Sequence, residues 1–376
     1  NLSSKILKMK KIVHVFWSLT FGGIETMLIN IANAQAEMGV DVSVIIVNDL
    51  IEPMLLHSLN RKVHVYLIKR KVGARNVLPI LRLNMILLSL RPDAIHLHES
   101  DLFGCLWFKK LSRVASVTLH ALPSGMVRRR NLLSRLLRRR SYEEKGNVEN
   151  LDKIPRVFSI SNAVHNMLLD KYCVNSIVIN NGIRTDFFQQ RNDIKWHQPL
   201  RVVQVSRLDH DKKGQDLLIE AASKLKGLID VTFIGDGASM NYLKLFAQNH
   251  NVGNFVHFLG KQDQSYIAQR LHEYDLFVQP SRWEGFGLTV AEAMAAKIPV
   301  LVSEGQGPAE VTCGEKYGWL FKNGDSLDLA MQIKKILLDK EKALSKAEKA
   351  YWYVKETYDV SVTARKYLKN YPYKNK

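Results

Sequence analysis

The sequence predicts an α/β protein built from two doubly wound parallel sheets. Three observations carry this. Apolar runs of strand length alternate with segments of helical period in both halves of the chain. Glycine-bearing turns follow several of those runs, as at Gly22-Gly23, Gly235 and Gly285–Gly287. The 376 residues, 46% of them apolar, are long for one domain and suit two sizeable cores.

In the first half, Ile12–Trp17 reads as a buried strand, followed by Gly22, Gly23 and Glu25 and a helix from Thr26 to Met38. Two glycines without a GxGxxG spacing give no dinucleotide fingerprint. Strands follow at Asp41–Val47, Val63–Leu67, Ala94–His98 and Ser116–Leu119, with a helix at Val77–Leu90. That helix is too short to span a membrane and contains Arg82. His98 and His120 fall at carboxyl ends of strands, where parallel sheets bind ligands. They can face a ligand, cap their strands, or join Glu99 around a metal. No third well-spaced ligand is evident, so no metal site is expected.

Leucines 132, 133, 136 and 137 repeat at helical spacing, with Arg128, Arg129, Arg130, Arg138, Arg139 and Arg140 around them. This basic amphipathic pattern suits an anionic lipid surface or an ordinary packed helix. No aromatic residues interleave the arginines, which argues against nucleic acid. Strands at Val157–Ile160 and Ser176–Ile179 flank a helix capped at Ser161-Asn162. The turn Asn180–Phe188 and a polar linker, Gln189–Pro199, close this half.

The second half opens with a strand, Leu200–Val205, then Arg207, Lys213-Gly214 and a helix, Gln215–Lys226. Val231–Ile234 leads into Gly235, and Phe255–Leu259 into Gly260. Asp275–Val278 leads into Pro280-Ser281-Arg282-Trp283-Glu284-Gly285-Phe286-Gly287-Leu288, and a helix runs on through Glu292. The backbone N–H groups of Gly287, Leu288 and Thr289 open that helix and are free to meet an anion. Glu292 lies about 6 Å along the axis by the usual helical rise. A phosphate-binding helix end flanked by two carboxylates that accept hydroxyl hydrogens suits a sugar nucleotide. Pro299–Val302 is a strand; the loop Ser303–Glu310 follows, then a short edge element at Gly318–Phe321, and Ser326 to Lys340 and beyond, and Tyr358–Tyr371, read as helices.

Net charge is +18, and it is uneven: residues 1–185 hold 27 Lys and Arg against 13 Asp and Glu, the rest 27 against 23. The polarity favours an anionic surface or ligand on the first half. Cys105, Cys173 and Cys313 are scattered with no CxxC, so a reducing cytoplasm is expected and no disulfide framework. No signal peptide is expected, and Met9-Lys10-Lys11 reads as a natural start after an upstream extension or remnant.

The Glu284–Glu292 stretch resembles the Glu–seven residues–Glu motif of retaining GT-B glycosyltransferases of group 1, family 4 type. The likeness is strongest over 200–300 and weakest over 41–90 and 124–152. It implies a GT-B fold of two Rossmann-like domains facing a cleft: residues 1–185 on the acceptor side, joined by a terminal helix near 357–376, and residues 186–356 on the donor side. It implies a metal-independent hexosyltransferase with no cofactor, using a UDP-linked sugar and a glycan or lipid-linked acceptor, in the cytoplasm or on the inner face of its membrane. Arg207 and Lys213 would clamp the diphosphate and His120 would contact the donor sugar. Glu284 would hold sugar hydroxyls and Glu292 the ribose. Gly22, Gly23, Gly235, Phe286, Gly287, Leu288 and Thr289 would line the donor. Arg184 and Gln306 depart from the family pattern, which has an aspartate and a glycine at these positions. Asp209-His210-Asp211 spells a DXD, the metal motif of a different transferase fold, but lies inside the phosphate-clamp loop. A GT-B-fold nucleotide-sugar epimerase and a non-catalytic, membrane-surface sugar-nucleotide-binding protein are the alternatives; the first would convert donor alone, and the intact glutamate pair argues against the second.

Overall fold

A computed structural model describes residues 10–20, 22–120, 151–192 and 195–373. The predicted arginine-rich helix, Arg128–Arg140, lies outside them. The chain forms two compact units. The first runs to Gly182 and takes in the chain again from Val360; the second is Ile183–Asp359.

In the first unit, seven parallel strands lie in the order β3-β2-β1-β4-β5-β6-β7. They are β1 Lys11–Phe16, β2 Asp41–Asn48, β3 His64–Arg70, β4 Ala94–Leu97, β5 Ala115–Leu119, β6 Arg156–Ser159 and β7 Ile177–Val178. The longer helices are α1 Gly23–Glu37, α2 Leu78–Leu90 and α3 Asn162–Tyr172. The inner strands are buried along nearly their whole length, as a sheet covered on both faces requires. β3 runs three residues past the predicted Leu67. Its terminal Arg70 is buried, donating to Asn48 Oδ1 at 2.9 Å and to the Ala74 carbonyl at 2.7 Å. α1 starts three residues earlier than the sequence predicts, because Gly22 is extended and its carbonyl accepts from Thr26 N.

The second unit repeats the plan with six parallel strands ordered β10-β9-β8-β11-β12-β13. They are β8 Leu200–Val205, β9 Ile229–Ile234, β10 Val256–Phe258, β11 Leu276–Gln279, β12 Val300–Ser303 and β13 Trp319–Phe321. Its longer helices are α4 Gln215–Lys224, α5 Met240–Asn249, α6 Gln264–Arg270, α7 Leu288–Ala295, α8 Ser326–Leu338 and α9 Lys340–Thr357. The predicted single helix from Ser326 onward is broken at Asp339, whose carboxylate accepts from Lys342 N and so caps α9.

The last helix, α10 Val360–Asn370, returns to the first unit and packs on α1. Tyr367 and Tyr371 join the core beside β1. The close approach explains Gly182, where a Cβ would lie 2.7 Å from Val360 Cα. Both sheets reverse strand order once, between β1 and β4 and between β8 and β11. Carboxyl ends of strands at such reversals open crevices where α/β sheets bind ligands. Among the described residues no helix is long and apolar enough to cross a membrane.

Candidate active site

In the second unit the site grows from β11. The chain leaves Gln279, passes Pro280–Glu284 and turns into α7 at Gly287, whose φ is +95°. A Cβ there would be strained and would meet Pro308 Cγ at 2.9 Å. α7 has no side-chain cap, and no acceptor among the described residues takes the N–H of Leu288 or Thr289. These donors and the positive end of the helix dipole form an anion-binding end. Phe286 turns its ring inward, 2% exposed and edge-on to Tyr358, so only its backbone faces the turn.

The loop after β8 is fastened to this turn. Arg282 grips Asp216 with two hydrogen bonds of 2.8 and 2.6 Å and donates to the His210 carbonyl at 2.8 Å. Gln204 Nε2 donates to the Lys213 carbonyl at 2.9 Å, and Trp283 N to that of Lys212 at 3.2 Å. Gly214, at φ +65°, lies so close to Pro280 that a Cβ would reach its carbonyl oxygen at 2.0 Å. The result places Lys213 Nζ in an ion pair with Glu284 Oε2. Arg207, one turn earlier in the loop, is exposed, and its guanidinium has no partner among the described residues. Gly235 packs against the same loop: a Cβ would fall 1.9 Å from the Ser206 carbonyl oxygen.

Glu284 is also held through its backbone. Its N–H donates to Gln306 Oε1 at 3.1 Å, and its carbonyl accepts from Gly307 N at 2.9 Å. The departure at Gln306 is therefore a contact, with Gly307 supplying the close backbone approach. Glu292, 6% exposed, accepts from Gln264 Nε2 at 3.1 Å. Burial pushes its carboxyl up to about 7, opposed in part by that hydrogen bond.

The first unit assembles a different chemistry. β1 and β4 set His14 opposite His96 in register, and His98 and His120 follow the ends of β4 and β5. His14 Nδ1 lies 3.1 Å from His98 Nε2, and His14 Nε2 lies 2.9 Å from Gln35 Oε1. His96 is committed at both nitrogens, to the Tyr371 hydroxyl at 2.9 Å and to Thr118 Oγ1 at 2.7 Å. The rings of His98 and His120 stack with centroids 5.8 Å apart. Burial holds all four imidazoles below their ordinary range, His14 at about 4 and His120 at about 3; neighbouring imidazoles add to the effect for His96 and His98. His14, His96 and His98 present nitrogens within 4.8 Å of one another, a trio that shares only His98 with the ligands weighed from the sequence. His14 and His98 are bonded directly, whereas His96 has both nitrogens occupied and reaches His14 only through Tyr371 and Gln35. Gly22 sits where a Cβ would press on the Glu25 carboxylate at 2.4 Å, and Gly23 begins α1 beside it.

Residues 21–187 match the family model "Glycosyltransferase Family 4", and residues 186–352 match "Glycosyl transferases group 1". The chain belongs to the GT-B glycosyltransferases. Among relatives, this transferase is 35% identical over 158 residues to the amylovoran biosynthesis glycosyltransferase AmsK of Erwinia amylovora, covering 40% of this chain and 39% of that protein. It is 27% identical to a glycogen synthase of Mycobacterium tuberculosis, covering 74% and 69%. The chain spans 39% and 66% of the length of AmsK and of a Methanocaldococcus jannaschii glycosyltransferase. A glycosyltransferase structure from Rickettsia africae superimposes with a TM-score of 0.77 at 20% identity, covering 96% of this chain and 97% of the other. Anabaena HepE, solved with UDP and glucose, gives 0.75 at 20%, covering 96% and 98%.

The structure brings Lys213, Glu284, Gly287, Leu288, Thr289 and Glu292 of the transferase to one end of the second sheet, and His120 to the corresponding end of the first. Sequence reasoning missed His14, Gln35, Gln264 and the Arg282–Asp216 pair. His14 and Gln35 signalled only by polarity inside runs that otherwise read as core, and the others lie outside such runs and gave no signal of their contacts.

Proposed function

We propose that this glycosyltransferase moves a sugar, with retention of anomeric configuration and without a metal, from a UDP-linked donor to a hydroxyl of a lipid-linked or surface-polysaccharide precursor. The observation that carries the reading is the end of β11 and α7: free helix N–H groups and a paired lysine beside one partly exposed and one buried carboxylate. Leu288 and Thr289 N–H with Lys213 and Arg207 hold the diphosphate and stabilise the charge that grows on it as it leaves. Glu292 accepts the ribose hydroxyls, which supply the donors that a buried carboxylate of raised pKa lacks. Glu284 accepts sugar hydroxyls, and His120 lies against the sugar. The acceptor hydroxyl attacks from the leaving-group face and gives its proton to a donor phosphate oxygen. No protein nucleophile is needed, and catalysis is positioning and charge stabilisation.

The donor choice draws on HepE, solved with UDP and glucose. The acceptor choice draws on a 32% identical Campylobacter jejuni relative, covering 42% of this chain and 41% of that protein, named as an N-acetylgalactosaminyltransferase of a diphospho-undecaprenol. The excess positive charge of residues 1–185 and the arginines 128–130 and 138–140 suit a peripheral place on the cytoplasmic face of an anionic membrane.

A thermal-shift panel of UDP, GDP, ADP and their sugar conjugates tests the donor, since a ligand of the native state raises the midpoint by mass action. A shift with UDP compounds that Glu292→Ala weakens is expected; no shift with any nucleotide on folded protein would sink the reading. Product anomers read by NMR test retention, and activity in chelator tests the metal. Cosedimentation with phosphatidylglycerol vesicles, lost when the six arginines become serine, tests the membrane.

A further inference from the structure

Five polar groups of the first unit form a single directed path. Tyr371 hydroxyl accepts from Gln35 Nε2 at 3.2 Å and lies 2.9 Å from His96 Nδ1. The phenol is the stronger acid and the imidazole nitrogen the stronger base, so the phenol donates. Gln35 then presents Oε1 to His14, and this amide oxygen only accepts. His14 must carry its proton on Nε2. Its Nδ1 is left as a lone pair, 3.1 Å from His98 Nε2, so His98 carries its proton there and donates it to His14. The path ends on His98 Nδ1, a lone pair that is buried and has no partner among the described residues. A buried acceptor left unsatisfied costs about 1–3 kcal/mol. The His98 ring is 1% exposed and stacks toward His120, whose Nε2 is likewise enclosed and without a partner among the described residues.

We propose that His98 Nδ1 is a fixed hydrogen-bond acceptor for a ligand hydroxyl, held in that state by the chain Gln35–His14–His98. The chain ends at an amide, which cannot pass a proton on, so it sets a tautomer and relays nothing. Gln35 and His14 are positioning residues, and His98 is a specificity determinant. The site takes a neutral O–H donor, as sugars offer, and rejects a carboxylate or phosphate, which would oppose lone pair to lone pair. The hydroxyl can belong to the donor sugar or to the acceptor. The donor arm of the test rests on the function proposed above; the tautomer does not.

Long-range nitrogen–proton correlation spectra of protein labelled with 15N-histidine read the protons directly, with His14→Phe and His98→Phe assigning the signals. Both His14 and His98 should show the Nε2–H form. An Nδ1–H on His98, which the opposite rotamer of Gln35 would impose along the whole path, would overturn the proposal. Added UDP-glucose, UDP-galactose or UDP-N-acetylglucosamine should move the His98 Nδ1 resonance where UDP does not, if the donor sugar is the source. Methyl glycosides should move it if the acceptor is. If no UDP compound binds yet a methyl glycoside moves His98, only the nucleotide reading falls; a His98 signal unmoved by any hydroxyl ligand overturns the proposal. Gln35→Leu should leave both tautomers of His98 populated and raise KM for the sugar about tenfold, with kcat less affected. Gln35→Glu, which keeps an accepting oxygen, should restore the Nε2–H form. Stoichiometric Zn(II) binding with loss of the His98 Nε2–H would replace the chain by a metal site and overturn the proposal as well.

Discussion

The two units share a fold plan but differ in the charge carried at their strand ends. At the switch point of the first sheet, four imidazoles are held neutral by burial, and three of them, His14, His96 and His98, are fixed in place by neutral hydrogen bonds. At that of the second, a lysine, an exposed arginine and two carboxylates gather around free helix N–H groups. The lesson is that a repeated α/β frame leaves the chemistry to the few residues at the strand ends. On the readings proposed above, one frame would meet hydroxyls and the other a diphosphate.

The largest expected effect tests the charged end. Lys213→Ala should lower kcat for the donor about 10²–10³-fold, the usual loss when one group stabilising developing charge is removed. A drop of less than threefold in steady-state turnover would mean that Lys213 serves only Glu284.

The pH response should separate the units next. His14 has a folded pKa of about 4 against 6.5 ordinarily, so the unfolded chain binds the proton better. Its stabilising contribution is full above about pH 6.5 and is lost as pH falls toward 4, on the order of 3 kcal/mol. Glu292 has the opposite sign: its folded pKa of about 7 lies above 4.5. Its contribution is present below pH 4.5 and lost as pH rises through 7, by a similar amount. Hydrogen exchange followed by peptide mass, at pH 5 and 7 and corrected for intrinsic rate, should show residues 11–119 losing protection on acidification relative to residues 200–338. Equal change in both units would break the comparison.

A smaller effect sharpens it. Arg282 touches Asp216 and the His210 carbonyl, so it acts on Lys213 through the loop. Arg282→Ala should weaken UDP binding about tenfold, the range for losing a charged hydrogen-bond pair, and Arg282→Lys less, because lysine cannot make the two-pronged contact. Titration calorimetry checks this; an unchanged affinity would free the loop from that role. The smallest effect lies away from both ends. Ser161 Oγ accepts from Val164 N and caps α3, so Ser161→Ala should cost about 1 kcal/mol in urea unfolding with UDP affinity unchanged.

The charged end was legible in the sequence because its parts are local. Glu284, Gly287 and Glu292 lie within nine residues, and a strand, a glycine turn and a helix start fix their relation without help from the rest of the chain. The neutral end was legible only at His98 and His120, which follow strand ends. His14 and His98 are 84 residues apart, and Tyr371 arrives from the far end of the chain. Only strand register and the returning helix bring them together, and a histidine inside Ile12–Trp17 reads in sequence as one polar residue in a core strand. Gln306 failed to read for a related reason. As a missing glycine it looked like a loss, and its amide finds a use only 22 residues back, on the Glu284 backbone. The order of the strands along the chain was plain, whereas helices α5 and α6 were not predicted, and the start of α1 and the break at Asp339 turned on single hydrogen bonds.

The central claim is that the second unit holds a nucleotide diphosphate, with Glu292 on its ribose. The most direct test is calorimetric titration of UDP into wild type and Glu292→Gln at about pH 6 and about pH 8. The β-phosphate of UDP titrates in the same range, so the difference between the two proteins is what counts. The account predicts that wild type gains affinity over Glu292→Gln as pH rises and releases a proton on binding at the lower pH, because ribose hydroxyls favour the ionised carboxylate. Equal affinities for the two proteins at both pH values, or no heat with either, would contradict it.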